Sequence, residues 1–107
     1  MALQLDVDNR YIRDAYRDLA EIFIHFGEFH HADIALFSAT QYDRGKSAYE
    51  PARAARLWAR LGYVREQATD FRNAATAYDK AISLDESNPD AVAGRDRVRT
   101  HLQSQKS

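Results

Sequence analysis

The 107-residue chain has no cysteine, two prolines and four glycines, and it carries no excess of positive charge. Each shortage excludes something. Without cysteine there is no disulfide staple, no thiolate zinc site and no cysteine nucleophile, a composition that suits a reducing compartment. So few Gly and Pro leave few breaks for a many-stranded β fold. No Gly-rich phosphate loop follows a strand, and no serine sits in a Gly-flanked elbow, so two common catalytic signatures are missing. No apolar run approaches the roughly 18 residues of a membrane span, and "MALQLDVDNR" is not a basic leader followed by an apolar block. The expectation is a soluble cytoplasmic protein without membrane contact. A net charge of −1 speaks against a general footprint on nucleic acid.

What is present is a globular balance, 45% hydrophobic and 29% charged, in a length that fits one small domain. Good helix formers recur throughout. Charge is unevenly spread: residues 1–43 hold 3 basic against 8 acidic side chains, and residues 44–72 hold 7 against 3. The basic middle answers either an acidic partner or the acidic first segment of its own chain or of a second copy, and the charge pattern favours a solvated face over a docking site.

Cap and periodicity signals predict five helices. Asp8 or Asn9 caps the first, which runs to about Phe26 with Tyr16, Leu19, Ala20 and Phe23 at helical spacing, and Gly27 ends it. The second spans about 28–41 with Phe29, Ala32, Leu36 and Ala39 on one stripe, followed by "DRGKS" as a loop. Ser47 and Glu50 have capping-box spacing, so the third helix starts between 47 and 50 and runs to about Ala68. Thr69 or Asp70 caps a fourth, ending near Leu84. Asn88 and Pro89 open a last helix to about Leu102, with 103–107 frayed.

An offset of 42 residues lays Tyr16 on Trp58, Leu19 on Leu61, Ala20 on Gly62, Phe29 on Phe71, Ala32 on Ala74, Leu36 on Tyr78 and Ala39 on Ala81. Seven matched positions over two helices make an internal repeat. Small residues at Ala20, Gly62, Ala32 and Ala74 let antiparallel helices approach closely, while Tyr16, Trp58, Phe29 and Phe71 fill the space between neighbouring pairs.

With Trp58, Leu61, Gly62, Phe71, Ala74, Tyr78 and Ala81 the chain resembles the tetratricopeptide repeat family. The resemblance implies an all-α fold of antiparallel helix-hairpin repeats in a right-handed α-solenoid. It divides the chain into an extended leader (1–8), one domain (9–104) and a tail. The domain comprises repeat 1 (about 9–43), repeat 2 (about 47–86) and a capping helix (about 89–102). Three departures from the family pattern stand out: Arg65 replaces an aromatic, Glu86 stands where the terminal Pro belongs, and the copies lie 42 residues apart. The eight extra residues predict a third helix longer by about two turns at its start. The family spacing also puts Asp96 in the small-residue slot, which makes the last helix a cap with a wet outer face.

Three of the four histidines, His25, His30 and His31, cluster near Glu28 and Asp33. Adjacent helical side chains point about 100° apart, so His30 and His31 do not aim at one ion. Surface histidines are the expectation, with no metal and no cofactor.

In the resembled family the first helix of each repeat lines a concave groove for a peptide or partner helix. Carried over, and with Tyr16, Leu19 and Phe23 facing the core, the groove face falls on Asp14, Arg17, Glu21 and His25, then Arg56, Ala59, Tyr63 and Gln67, then Asp90, Ala93, Arg97 and His101. Of these, Arg17, Glu21, Arg56, Tyr63, Gln67 and Arg97 are the site candidates, Tyr63 foremost as an aromatic on a wet face. Glu21 and Tyr63 stand where a chaperone-tail clamp presents amide or cationic donors, which speaks against that receptor class. The functional expectation is a non-catalytic adaptor for a protein or peptide. Its alternatives are a self-assembling structural subunit and, behind both, a metal-dependent helical enzyme. Two repeats fall short of the roughly three that bury a continuous core, so a homodimer weakened by salt is expected, held through the opposite charges of the first repeat and third helix, Tyr49 and the leader.

Overall fold

Helix boundaries repeat in space with the same period as the sequence. The structure, a computed structural model, describes residues 9–43 and 50–106. It places α1 at Asn9–His25, α2 at Phe29–Tyr42, α3 at Pro51–Gln67, α4 at Phe71–Leu84 and α5 at Pro89–Lys106. Shifting α1 and α2 by 42 residues reproduces both ends of α3 and of α4. The all-α expectation is met, with no strand among the described residues. Each helix packs on the next in sequence, and α5 also touches α3. The leader, the "DRGKS" loop beyond Asp43, Ser47 and Tyr49 lie outside the described residues.

The caps explain most boundaries. Asp70 precedes α4, and its side chain accepts from the Asn73 amide, so one orphan donor is satisfied. Asn88 does the same for α5, accepting from Ala91 N at 3.0 Å. Pro89 then fills the first helical position, where its missing N–H costs nothing. The third helix departs from expectation. Glu50 is itself the extended N-cap, Pro51 is the first helical residue, and α3 has the same 17 residues as α1. The additional residues of the second copy therefore do not lengthen the helix. At the other end α5 continues to Lys106, past the expected stop at Leu102.

Both hairpin turns use one left-handed residue at equivalent positions, Gly27 with φ 75° and Thr69 with φ 59°. Glycine adopts that conformation freely, whereas a β-branched side chain meets its own backbone there. Thr69→Gly is therefore expected to stabilise the fold by about 0.5–1 kcal/mol, a rise of a few degrees in a thermal melt. An unchanged or lower melting temperature would show that the turn bears no strain.

Two apolar clusters share α3. One joins Ala20, Ala32, Leu36 and Ala39 to Leu57, Leu61 and Val64, and the other joins Ala55, Ala59, Ala74, Tyr78 and Ala81 to Ala91 and Val98. The small residues predicted at close helix contacts, Ala20, Ala32, Gly62 and Ala74, are all buried. Half-buried aromatics bridge the elements: Tyr16 stacks on Tyr42, Phe37 meets Trp58 edge-on, and Phe71 stacks on His101 at 4.2 Å. One expectation is corrected: Leu19 does not share the burial of its counterpart Leu61, because no described residue packs on that side of α1. Asp96 is exposed, as the wet outer face of a capping helix requires, and Gly94 meets Tyr78 beside the buried Ala91 and Val98.

Candidate functional site

Alternate helices wall an open groove of about 480 Å³. Arg13, Arg17 and Glu21 come from α1; Arg53, Arg56, Ala59, Arg60 and Tyr63 from α3; Asp90, Ala93 and Arg97 from α5. The floor is Leu36 of α2, Leu57 of α3 and Tyr78 of α4. The spacing explains the composition, since positions 53, 56, 60 and 63 recur at three and four residues and so share one face of α3.

Carboxylates tie the walls together. The Arg60 guanidinium donates to both oxygens of Glu21 at 2.8 and 2.7 Å, joining α3 to α1. Arg97 does the same to Glu66 at 2.9 and 3.0 Å, joining α5 to α3, and the Tyr78 hydroxyl donates to Glu66 at 2.8 Å. At the α1–α3 end the Asp43 carboxylate oxygen Oδ1 accepts from Arg13 and Arg53, both at 2.9 Å. Two-point charge-assisted bonds of this kind fix orientation as well as distance.

The ionisation states follow. The hydrogen bonds from Arg60 hold Glu21 below the usual carboxylate range against its desolvation. Burial pushes Glu66 up, but the donors Arg97 and Tyr78 outweigh it and leave its pKa lowered. Burial first, then Glu66, pushes the Tyr78 phenol up, so it stays protonated as a donor. The groove thus holds charged pairs whose members stay ionised. Their stabilisation is present above the ordinary glutamate value and is lost as pH falls below it.

The uneven charge of the sequence is largely answered inside one chain. Arg60–Glu21, Arg53–Asp43 and Arg65–Asp33 each join the basic third helix to the acidic first hairpin. Arg65 fills its unusual slot by reaching Asp33 Oδ2 at 2.9 Å and the Asn73 carbonyl at 3.3 Å. Its counterpart Phe23 instead stacks on His31. Six arginines line the groove against two acids, Glu21 and Asp90. Of these, Arg56 is exposed and makes no ion pair among the described residues. Arg17 is half exposed and meets Asp14 and Asp18 only at 3.4 and 3.3 Å.

No known protein family matches the chain, and no curated protein matches its sequence. Function is therefore read from the residues themselves. Of the sequence candidates, the groove brings together Arg17, Glu21, Arg56, Tyr63 and Arg97, along with Ala59, Asp90 and Ala93. Gln67, the last residue of α3, lies outside it. So do Asp14, which pairs with Arg13, His25, and His101, which stacks on Phe71. Tyr63 is half-buried, with the Arg60 guanidinium 4.7 Å from its ring centroid, so one of its faces is already used. Sequence reasoning missed Arg13, Arg53 and Arg60. Their signal was an arginine at each turn of the groove face, legible once α3 is known to begin at Pro51.

His25, His30 and His31 are exposed. His31 Nδ1 lies 3.5 Å from Glu28, and among the described residues no three metal-ligating side chains converge. No described helix is long and apolar enough to cross a membrane.

Proposed function

We propose that this chain is a non-catalytic interaction module of the tetratricopeptide-repeat type. Its two helix hairpins and capping helix stack as a right-handed α-solenoid, and its groove binds an extended acidic segment of a partner protein. The observation that carries the reading is the surplus of arginine over acid in the groove, with Arg56 and Arg17 incompletely neutralised. Guanidinium forks match carboxylates in geometry and are less strongly hydrated than ammonium groups. Tyr63, half-buried in the groove wall, adds contact area at low entropy cost. Glu21 is locked by Arg60, a setting for binding and not for proton transfer. A cysteine-free chain of this kind suits the cytoplasm.

A labelled peptide of alternating Asp, Glu and small apolar residues is the probe, with its Asn/Gln isostere as control. The acidic peptide is expected to bind and to weaken as salt rises, and Arg56→Glu with Arg17→Glu to reduce affinity about tenfold or more, since each lost charged hydrogen bond costs about 1.5–3 kcal/mol. Equal binding of the isostere, or no effect of the double variant, would refute an acidic ligand.

A further inference from the structure

The outer side of α1 carries an apolar seam that no described residue covers. Leu19, Ile22 and Phe26 are 40%, 54% and 73% exposed, Ala15 is exposed between them, and Tyr11 flanks them at 75%. The same positions in the second hairpin show that this is a packing surface. At the 42-residue offset Ala15, Leu19 and Ile22 correspond to Leu57, Leu61 and Val64 of α3, which are only 5%, 0% and 0% exposed. Those three are buried in the cluster that contains Ala32, Ala35, Leu36 and Ala39 of α2. The face that α3 turns to a preceding helix is the face that α1 turns to open space.

We propose that a second copy of this chain covers the seam, through antiparallel pairing of α1 with α1 about a two-fold axis. The seam residues 15, 19, 22 and 26 alternate steps of four and three, the spacing at which two helices interlock at a small crossing angle. A two-fold centred between Leu19 and Ile22 puts Leu19 opposite Ile22 of the second copy. It also puts Ala15 opposite Phe26 of the second copy, so the smallest side chain meets the largest in both end layers. The same register sets Asp18, beside the seam, opposite His25 of the second copy, whose imidazole N–H donates to the carboxylate. A parallel pairing would instead put Phe26 on Phe26 and Ala15 on Ala15, the two largest side chains in one layer and the two smallest in another. On a 3.6-residue period the seam lies on the far side of α1 from Arg17 and Glu21, so the dimer leaves the groove open.

Because the opposite charges of the chain are paired internally, what holds the copies is chiefly apolar. Salt is then expected to have little effect, unlike in an association driven by charged segments. One seam per copy is smaller than the roughly 1,600 Å² of a standard interface, which places the dimer in the micromolar class.

Sedimentation equilibrium and disulfide trapping test the proposal. The unaltered protein is expected to reach a monomer–dimer equilibrium in the micromolar range. Ile22→Glu, at a position already half exposed, is expected to weaken it about 30-fold or more with unchanged helical circular dichroism. With no native cysteine in the chain, A15C and F26C proteins are clean probes. Mixed, they should form a 15-to-26 cross-link between copies. Alone, neither should cross-link, since eleven residues of helix separate its own pair by about 16 Å, beyond disulfide reach. A strict monomer at high micromolar concentration, a dimer indifferent to Ile22→Glu, or cross-linking of A15C with itself would each overturn the proposal.

Discussion

Gly94→Ala is expected to destabilise the protein by about 2 kcal/mol, although alanine is the better helix former by about 1 kcal/mol. The Tyr78 ring is held between two glycines on different helices. A methyl group added at Gly62 of α3 would lie 2.8 Å from two ring carbons, and one added at Gly94 of α5 would lie nearer still. The ring cannot swing aside. Its hydroxyl donates to Glu66, which Arg97 of α5 grips with two of its three guanidinium nitrogens, so ring, carboxylate and guanidinium are tied together. The added carbon must therefore push α5 away from α4, exposing Ala91 and Val98, both fully buried. Urea melts give the cost, and hydrogen exchange in α5 shows where it falls. Gly62→Leu and Ala74→Leu should also lose much more than His30→Ala, which removes an exposed ring and should stay within about 0.5 kcal/mol. A neutral or stabilising Gly94→Ala would mean that α5 is not seated on Tyr78.

The two hairpins were legible in the sequence because both copies carry the same small and aromatic positions, and one offset placed eight helix ends within a few residues. The third helix was misjudged at its start. Ser47 with Glu50 reads as a capping box and Pro51 as a first-turn residue, yet proline at the first helical position is equally good chemistry, and Glu50 adopts the extended backbone of a cap. The last helix opens at Asn88 and Pro89 as expected, with Asp96 on its exposed face. The contact of Gly94 with Tyr78 was not legible, because it depends on how α5 is turned about its axis against α4. Leu19 failed for another reason. Local pattern cannot tell whether a helix has a neighbour before it: the burial of Leu61 comes from α2, which precedes α3, and no described helix precedes α1. Arg65 looked like a broken aromatic slot. Its partner Asp33 lies on another helix at a separation no periodicity reveals.

Asp43→Ala is expected to be the costliest loss of a single charged side chain, about 3–5 kcal/mol, the range for breaking a buried pair from one side. Asp43 ends α2 and is buried, and its Oδ1 accepts from Arg13 of α1 and Arg53 of α3. One carboxylate thus ties three helices at the passage from the first hairpin to the second. Arg13 is itself buried, and with Asp43 gone it would keep only its bond to Asp14 Oδ1 at 2.8 Å. Asp43→Asn separates charge from hydrogen bonding. An amide oxygen can still accept from both guanidinium groups, so its cost should fall between wild type and Asp43→Ala. The buried Oδ2 accepts from no donor among the described residues, so replacing it with the amide nitrogen breaks no hydrogen bond. Arg13→Met with Asp43→Leu removes donor and acceptor together, and the double variant should lose less than the sum of its single changes, giving a coupling of at least about 1 kcal/mol in a double-mutant cycle. Additive losses would show that the two side chains are stabilised separately. An Asp43→Ala loss within about 0.5 kcal/mol would place the carboxylate among surface ion pairs, which contribute little.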